Sequence, residues 1–193
     1  MPIIIVISAF AALVGYGAAP KASIYLGKKE EDKAEVIVGN SFSLLIIIGI
    51  LLTIITLIFS KDLLFLFGAS NTTILYANNY IKIYALGTIF VLISIGMNSF
   101  ISAQGFTKIS MMSVLIGAVL NCILDPIFIF GFDLNVQGAA LATIISQAIS
   151  AIWVLAFLMG KQTKLKIKKE NLLPNAKILL PVFALGVSPF IMN

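Results

Sequence analysis

The sequence predicts an all-α fold, a polytopic membrane helix bundle of about five complete transmembrane helices plus the start of a sixth. Three observations carry this. The 193 residues are 60% hydrophobic and only 11% charged, with a mean hydropathy of +1.09, where ordinary soluble domains are about 25% charged. Apolar runs recur at the length needed to cross a hydrocarbon core of about 30 Å. The basic residues are also distributed unevenly among the connections between those runs.

The runs cover residues 3–19, 36–59, 76–99, 111–132 and 139–159, and a sixth begins near residue 178. The first is about 17 residues long, at the lower limit for a span. It lacks the basic flank of a signal peptide, and cleavage after Ala19 would leave Pro20 at the new terminus; the chain is expected to begin inside one helix and stop inside another. Between the second and third runs, residues 60–70 form a short interfacial helix, with Ser60 as N-cap, Asp62 in the first turn and Gly68 as the stop. Cys122 is expected as a buried, inert helix residue.

All 13 basic residues are lysine. Lys21, Lys28, Lys29 and Lys33 precede the second run, Lys108 precedes the fourth, and Lys161, Lys164, Lys166, Lys168, Lys169 and Lys177 follow the fifth. The second and fourth connections hold only Lys61. The positive-inside rule therefore places loops 21–35, 100–110 and 160–177 in the cytoplasm of a multi-pass plasma-membrane protein. The +5 net charge is an orientation signal directed at the lipid bilayer. It is not a nucleic-acid footprint, because the 161–170 run has no interleaved aromatics and no arginine. Lys82 is placed as a snorkelling interface anchor.

Catalytic chemistry is poorly represented. With no His, one Cys and no glycine-rich phosphate loop, the chain has no catalytic triad, no soft-metal ligand set and no ATP site, and neither an enzyme activity nor a resident cofactor is expected.

The informative residue is Asp125. A carboxylate at lipid depth costs on the order of 2.5 kcal/mol or more and faces a partner, a cation or water. Asn121 lies one helical turn earlier on the same face, with Gly117 a further turn on. Pro126 has no N–H, which deprives the Cys122 carbonyl of its helical donor and leaves it as another oxygen. Across a short connection, Ala139, Thr143 and Gln147 share a face of the next helix. At 1.5 Å per residue, Asp125 and Thr143 come to similar depths of roughly 10 and 6 Å below their helix ends. Asp125, Asn121 and Thr143 thus assemble oxygens suited to Na⁺ or H⁺. Structural readings stand beside this one: a Thr143 hydroxyl returned to the Ala139 carbonyl, Asn121 as interhelical glue, and Asp125 as a protonated hydrogen-bond donor. Ser94, Asn98 and Ser102, spaced by four, line a cavity or a helix contact.

The stretch NCILDPIFIFGFDLNVQGAALAT, residues 121–143, resembles the signature of the multidrug and toxic compound extrusion (MATE) transporters, an N-x-x-x-D-P helix followed by a Gly-Ala-Ala-x-Ala-Thr helix. Residues 14–35 resemble that family's second helix and first inner loop, and residues 101–111 the loop after its fourth helix. The resemblance implies antiport by two six-helix lobes that expel organic cations in exchange for Na⁺ or H⁺. It divides the chain into a helix bundle of the N-terminal lobe lacking its first helix (1–160), a basic cytoplasmic linker (161–177) and the start of the second lobe (178–193). It implies a cation-coupling site at Asp125, Asn121, Thr143 and the main-chain oxygen of Ala139, with Asn98 and Gln147 in the substrate cleft. The family's first helix, which supplies a further acidic ligand, and the other lobe would be the missing partners. Two alternatives are a lipid-linked oligosaccharide flippase of the same superfamily, disfavoured because Lys82 is the only cation within a span, and a non-transporting remnant.

Overall fold

The computed structural model describes residues 2–192. Its secondary structure among these residues is helical throughout: α1 (Pro2–Gly27), α2 (Glu31–Ile58), α3 (Ser60–Leu66), α4 (Ile74–Leu86), α5 (Thr88–Gly96), α6 (Asn98–Ala103), α7 (Thr107–Pro126), a π turn (Ile127–Gly131), α8 (Asn135–Leu158), a 3-10 turn (Lys169–Asn171) and α9 (Ala176–Met192). α1, α2, α7 with its π turn, and α8 are each long and apolar enough to span a bilayer, and α4 with α5 and α6 makes a fifth span bent by 58°. This is the expected architecture of five spans with a shorter apolar helix after them.

The boundaries differ from expectation in instructive ways. α1 does not stop at Ala19: it runs through Pro20, whose ring faces outward, to Gly27, giving about 39 Å of helix. The first connection therefore shrinks to Lys28–Glu30, closed by Lys29 at φ 61°, where the Glu30 N–H reaches the Tyr25 carbonyl at 2.9 Å and the Lys29 N–H reaches that of Leu26 at 3.0 Å. Gly68 (φ 87°) and Gly105 (φ 89°) end their helices with the same paired bonds, a backbone turn that a side chain would strain. Ser60 is not an N-cap. Phe59 holds that position without any side-chain cap, because its N–H still reaches the Ile55 carbonyl and its own carbonyl accepts from Leu63, so α3 follows α2 almost without a break. Ser60 is buried instead.

α1 lies at the centre of the packing. Ile7, Ala11, Val14, Ala18 and Ala22 form a small-residue stripe, all 0–1% exposed, against α2, α5 and α9. At Gly17 and Gly186 the α1 and α9 backbones touch, and an added Cβ would strike Val182 and Leu13 main-chain atoms respectively. In a bilayer, where apolarity alone does not drive helices together, such close backbone approach is a main source of association.

The three connections expected in the cytoplasm converge at one end of the bundle. The Gln104 side-chain oxygen, just after α6, accepts from the Thr163 hydroxyl at 2.9 Å and from the Lys164 and Leu165 N–H groups at 2.8 and 3.1 Å. The carboxylate of Glu35, 5% exposed, pairs with Lys168 and accepts from the Lys166 N–H at 3.4 Å; the ammonium of Lys168 is held above its usual pKa by that bond. Asn40 bridges further, accepting from the Asn175 N–H at 2.6 Å and donating to the Asn171 carbonyl at 3.1 Å, and the Ser43 hydroxyl donates to the Leu172 carbonyl at 2.6 Å. The basic segment is therefore strapped onto α2 and α6. Replacing Glu35 by Ala leaves Lys168 only its longer contact to Asp32 at 3.9 Å, removes the acceptor of the Lys166 N–H and loosens this strap. Trypsin cleavage after Lys164, Lys166 and Lys168 is expected to accelerate roughly fivefold, read by gel densitometry against wild type; an unchanged rate would mean that the carboxylate does not hold the strap.

Candidate functional site

The site forms where the regular helix of α7 fails. Pro126 closes α7 and the chain continues as one π turn, with the Phe132 N–H reaching the Ile127 carbonyl at 3.0 Å. Such turns arise where the normal four-residue ladder is interrupted, here by a residue without an N–H. The Phe128 carbonyl accepts from the Leu134 N–H at 3.1 Å, and Gly138 of α8 lies directly against that turn: a Cβ there would sit 2.7 Å from the Phe128 carbonyl oxygen. Asp133 (φ 54°) and Asn135 (φ 49°) complete the reversal. The result is the tight antiparallel hairpin that the spacing implied.

Within the hairpin, three of the residues singled out in the sequence meet. The Asn121 amide donates to Asp125 Oδ1 at 3.3 Å and to Thr143 Oγ1 at 3.5 Å. The Thr143 hydroxyl donates in turn to the Ala139 carbonyl at 2.9 Å, so its lone pairs face Asn121. The back-bond from Thr143 to Ala139 and the cross-helix cluster coexist; they are not alternatives. Each of the three side chains is half-buried. Asp125 has no ion-pair partner among the described residues, nor do they contain a cluster of three or more His, Cys, Asp or Glu groups. The arrangement is one carboxylate among neutral oxygens.

Tyr80 of α4 was not foreseen. It stands beside Thr143, stacked at 6.0 Å on Tyr84. Nothing in its local sequence marks it, since its place depends on α4 packing across α8. Cys122 was foreseen wrongly. It is exposed, because it sits about 100° around the helix from Asn121, on the outward face with Met111, Val119 and Ile123.

Next to the cluster lies a cavity of about 460 Å³, to which α1, α5, α6, α7 and α8 all contribute. Asn121 and Thr143 form part of its wall, as do Asn98 and Gln147, whereas Asp125 lies just outside the lining. The wall is rich in hydroxyls from Ser94, Ser99, Ser102, Ser110, Ser113, Ser146 and Ser150. The Ser94 hydroxyl donates to Gln147 Oε1 at 2.6 Å and that of Ser102 bonds Ser110 at 2.7 Å. The Asn98 amide donates to the Ser110 carbonyl at 3.2 Å, while its Oδ1 and the Ser146 hydroxyl are buried without a partner. The 94–98–102 face was legible as polar; the serines of α7 and α8 carry no motif and were missed. Gly117, expected to leave room, lines the cavity but also receives Ser150, whose Oγ would lie 2.5 Å from an added Cβ and which donates to the Ser113 carbonyl at 2.8 Å.

Comparison with known proteins gives consistent matches. The family model MatE matches residues 1–127. Multidrug export protein MepA of Staphylococcus aureus (strain MSSA476) is 34% identical over 195 residues, spanning 100% of this chain and 43% of MepA. MepA of Staphylococcus haemolyticus (strain JCSC1435) is 33% identical over 192 residues, 100% of this chain and 42% of that protein. Among solved structures, the inward-facing conformation of a multidrug resistance MATE family transporter of the MOP superfamily superimposes with a TM-score of 0.93 at 25% identity, covering 99% of this chain and 44% of the transporter. The outward-facing conformation of such a transporter gives 0.90 at 26%, covering 98% and 42%. The chain spans less than half the length of the relatives it matches.

The hairpin contact yields a stability test. Gly117→Val forces a branched side chain into the space of Ser150, an overpacking cost of about 1–3 kcal/mol, and should lower the thermal midpoint in detergent. An unchanged midpoint would mean that α7 and α8 are not in close contact at this level.

Proposed function

The chain belongs to the MatE family, and from that membership together with the Asn121–Asp125–Thr143 cluster we propose that it forms part of a cation-coupled exporter of small organic, chiefly cationic, molecules. The observation that carries the reading is the isolated carboxylate. Asp125 has no basic partner among the described residues, so its charge at membrane depth calls for a bound Na⁺ or H⁺.

In this mechanism the coupling ion enters from outside and loads Asp125. For H⁺ the carboxyl is neutralised directly. For Na⁺ the ion is a hard cation that takes oxygen ligands, and the Asp125 carboxylate, the Asn121 and Thr143 side-chain oxygens and the Ala139 main-chain oxygen supply them. Binding Na⁺ through Asn121 requires its amide to turn so that oxygen replaces the NH₂ group, and the adjoining cavity leaves space for that rotation. Asn98 and Gln147 present amide groups in the same cavity, where they contact the organic substrate. Loading the ion and binding a cationic substrate then compete electrostatically within one lobe. Alternating access carries the ion inward and the substrate outward, as in secondary transporters whose two halves rock around a midplane site.

Efflux of ethidium from cells expressing the complete reading frame tests this. Asp125→Asn preserves shape and removes the titratable charge, so efflux should fall at least about tenfold, the equivalent of 1.4 kcal/mol, and lose its dependence on the ion gradient. Thr143→Val and Asn121→Ala should give intermediate losses. Dependence on an imposed Na⁺ or pH gradient identifies the coupling ion, and undiminished, gradient-dependent efflux by Asp125→Asn would overturn the proposal.

A further inference from the structure

At the lysine-rich end of the bundle a second cavity, of about 210 Å³, opens between α1, α2 and α9, bounded by Lys21, Tyr25, Lys33, Val36, Ile37 and Ile178. We propose that it is a binding site for an anionic phospholipid, with the phosphate held by Lys21 and Lys33 and an acyl chain laid along Val36, Ile37 and Ile178.

Lys21 is the unusual element. It lies six residues before the end of α1, about 9 Å inside the helix, at the level where headgroups meet hydrocarbon. It is half-buried, and no carboxylate among the described residues pairs with it. Lys33 is partly committed, its ammonium 2.8 Å from Glu30 and 5.8 Å from the centroid of the Tyr25 ring, but its side chain remains 64% exposed and can donate to a second anion. Glu30 is the one acid among the described residues that forms an ion pair with a groove residue, and that residue is Lys33. Lys28, 6.0 Å from the Tyr25 centroid, adds a third positive charge close by. The Tyr25 phenol supplies a neutral donor at the depth where tyrosines collect.

The lining decides among anions. A free phosphate would be served by the lysines and would leave Val36, Ile37 and Ile178 without a role. A substrate cation would be repelled. A lipid satisfies both walls at once, and anionic headgroups concentrate near basic segments on the cytoplasmic leaflet. Because Ile178 belongs to α9, a seated lipid joins the amino-terminal end of that helix to α1 and α2. The inference does not depend on the role of Asp125.

Native mass spectrometry of the protein purified from the complete reading frame, with added phosphatidylglycerol or phosphatidylcholine, reads this directly. Wild type is expected to retain phosphatidylglycerol in preference to phosphatidylcholine, and the double variant Lys21→Gln/Lys33→Gln to retain about tenfold less of it. Lys21→Arg, which keeps the charge, and Lys161→Gln, outside the groove, should both bind as wild type does and thereby control for folding. Equal retention of the two lipids, equal retention by the double variant, or displacement of phosphatidylglycerol by millimolar inorganic phosphate would each overturn the proposal.

Discussion

In hydrocarbon no water is available to an unpaired peptide group, so a chain crossing a bilayer satisfies its backbone internally and breaks a helix only where other groups take over. The fold is governed by that constraint. Helix ends at Lys29, Gly68 and Gly105 are closed by paired backbone bonds at the loops. Two interruptions inside spans, at Gly87 and after Pro126, lie on either side of one site. The bend at Gly87 packs against Ile144, where a Cβ would meet the side chain at 2.5 Å, one residue from Thr143. The π turn after Pro126 begins two residues beyond Asp125, and its Phe128 carbonyl is taken up by Leu134. Two breaks in regular helix thus flank the ionisable group, while a milder one at Met97 separates α5 from α6.

Side chains obey the same rule in a softer form. Several hydroxyls around the cavity return their proton to a carbonyl of their own helix: Ser99 to Gly96, Ser113 to Ser110, Thr143 to Ala139. Each donor is therefore satisfied whether the cavity is wet, filled by substrate or compressed, and the oxygen lone pairs remain directed at whatever enters. A wall of this kind tolerates changes of occupant, which a network of mutually dependent side chains would not. Asn98 and Ser146, whose buried atoms have no protein partner, are where an occupant gains most.

How much of this could be read in the sequence follows from the range of the forces involved. Asn121, Asp125 and Thr143 were legible because a four-residue spacing and a fixed rise per residue are local properties of a helix, and a short connection transfers them to its neighbour. Tyr80 was illegible because it reaches the site across a contact between α4 and α8, which no spacing records. Cys122 was misplaced for a different reason: inside a membrane an apolar environment includes lipid, so an apolar neighbourhood does not predict burial. The first run was also expected to end at Ala19, just before Pro20. A proline interrupts one hydrogen bond, but α1 is enclosed by α2, α5 and α9, and packing carries the helix past it to Gly27.

The strap and the carboxylate place the two kinds of polar investment at different levels of the molecule. At the lysine-rich end, Glu35, Asn40 and Gln104 bind segments far away in sequence through fully formed bonds, a construction that fixes one geometry. Around Asp125, the only charge is uncompensated among the described residues and its one side-chain donor, Asn121, holds it at 3.3 Å while also reaching Thr143 at 3.5 Å. These contacts are long for hydrogen bonds, and a cluster so loosely held gives up little when an ion or a proton displaces the amide. Under the proposed coupling, the free energy that distinguishes loaded from empty states is then concentrated in neutralising a single carboxylate, while the strap keeps the basic segment fixed to this bundle throughout.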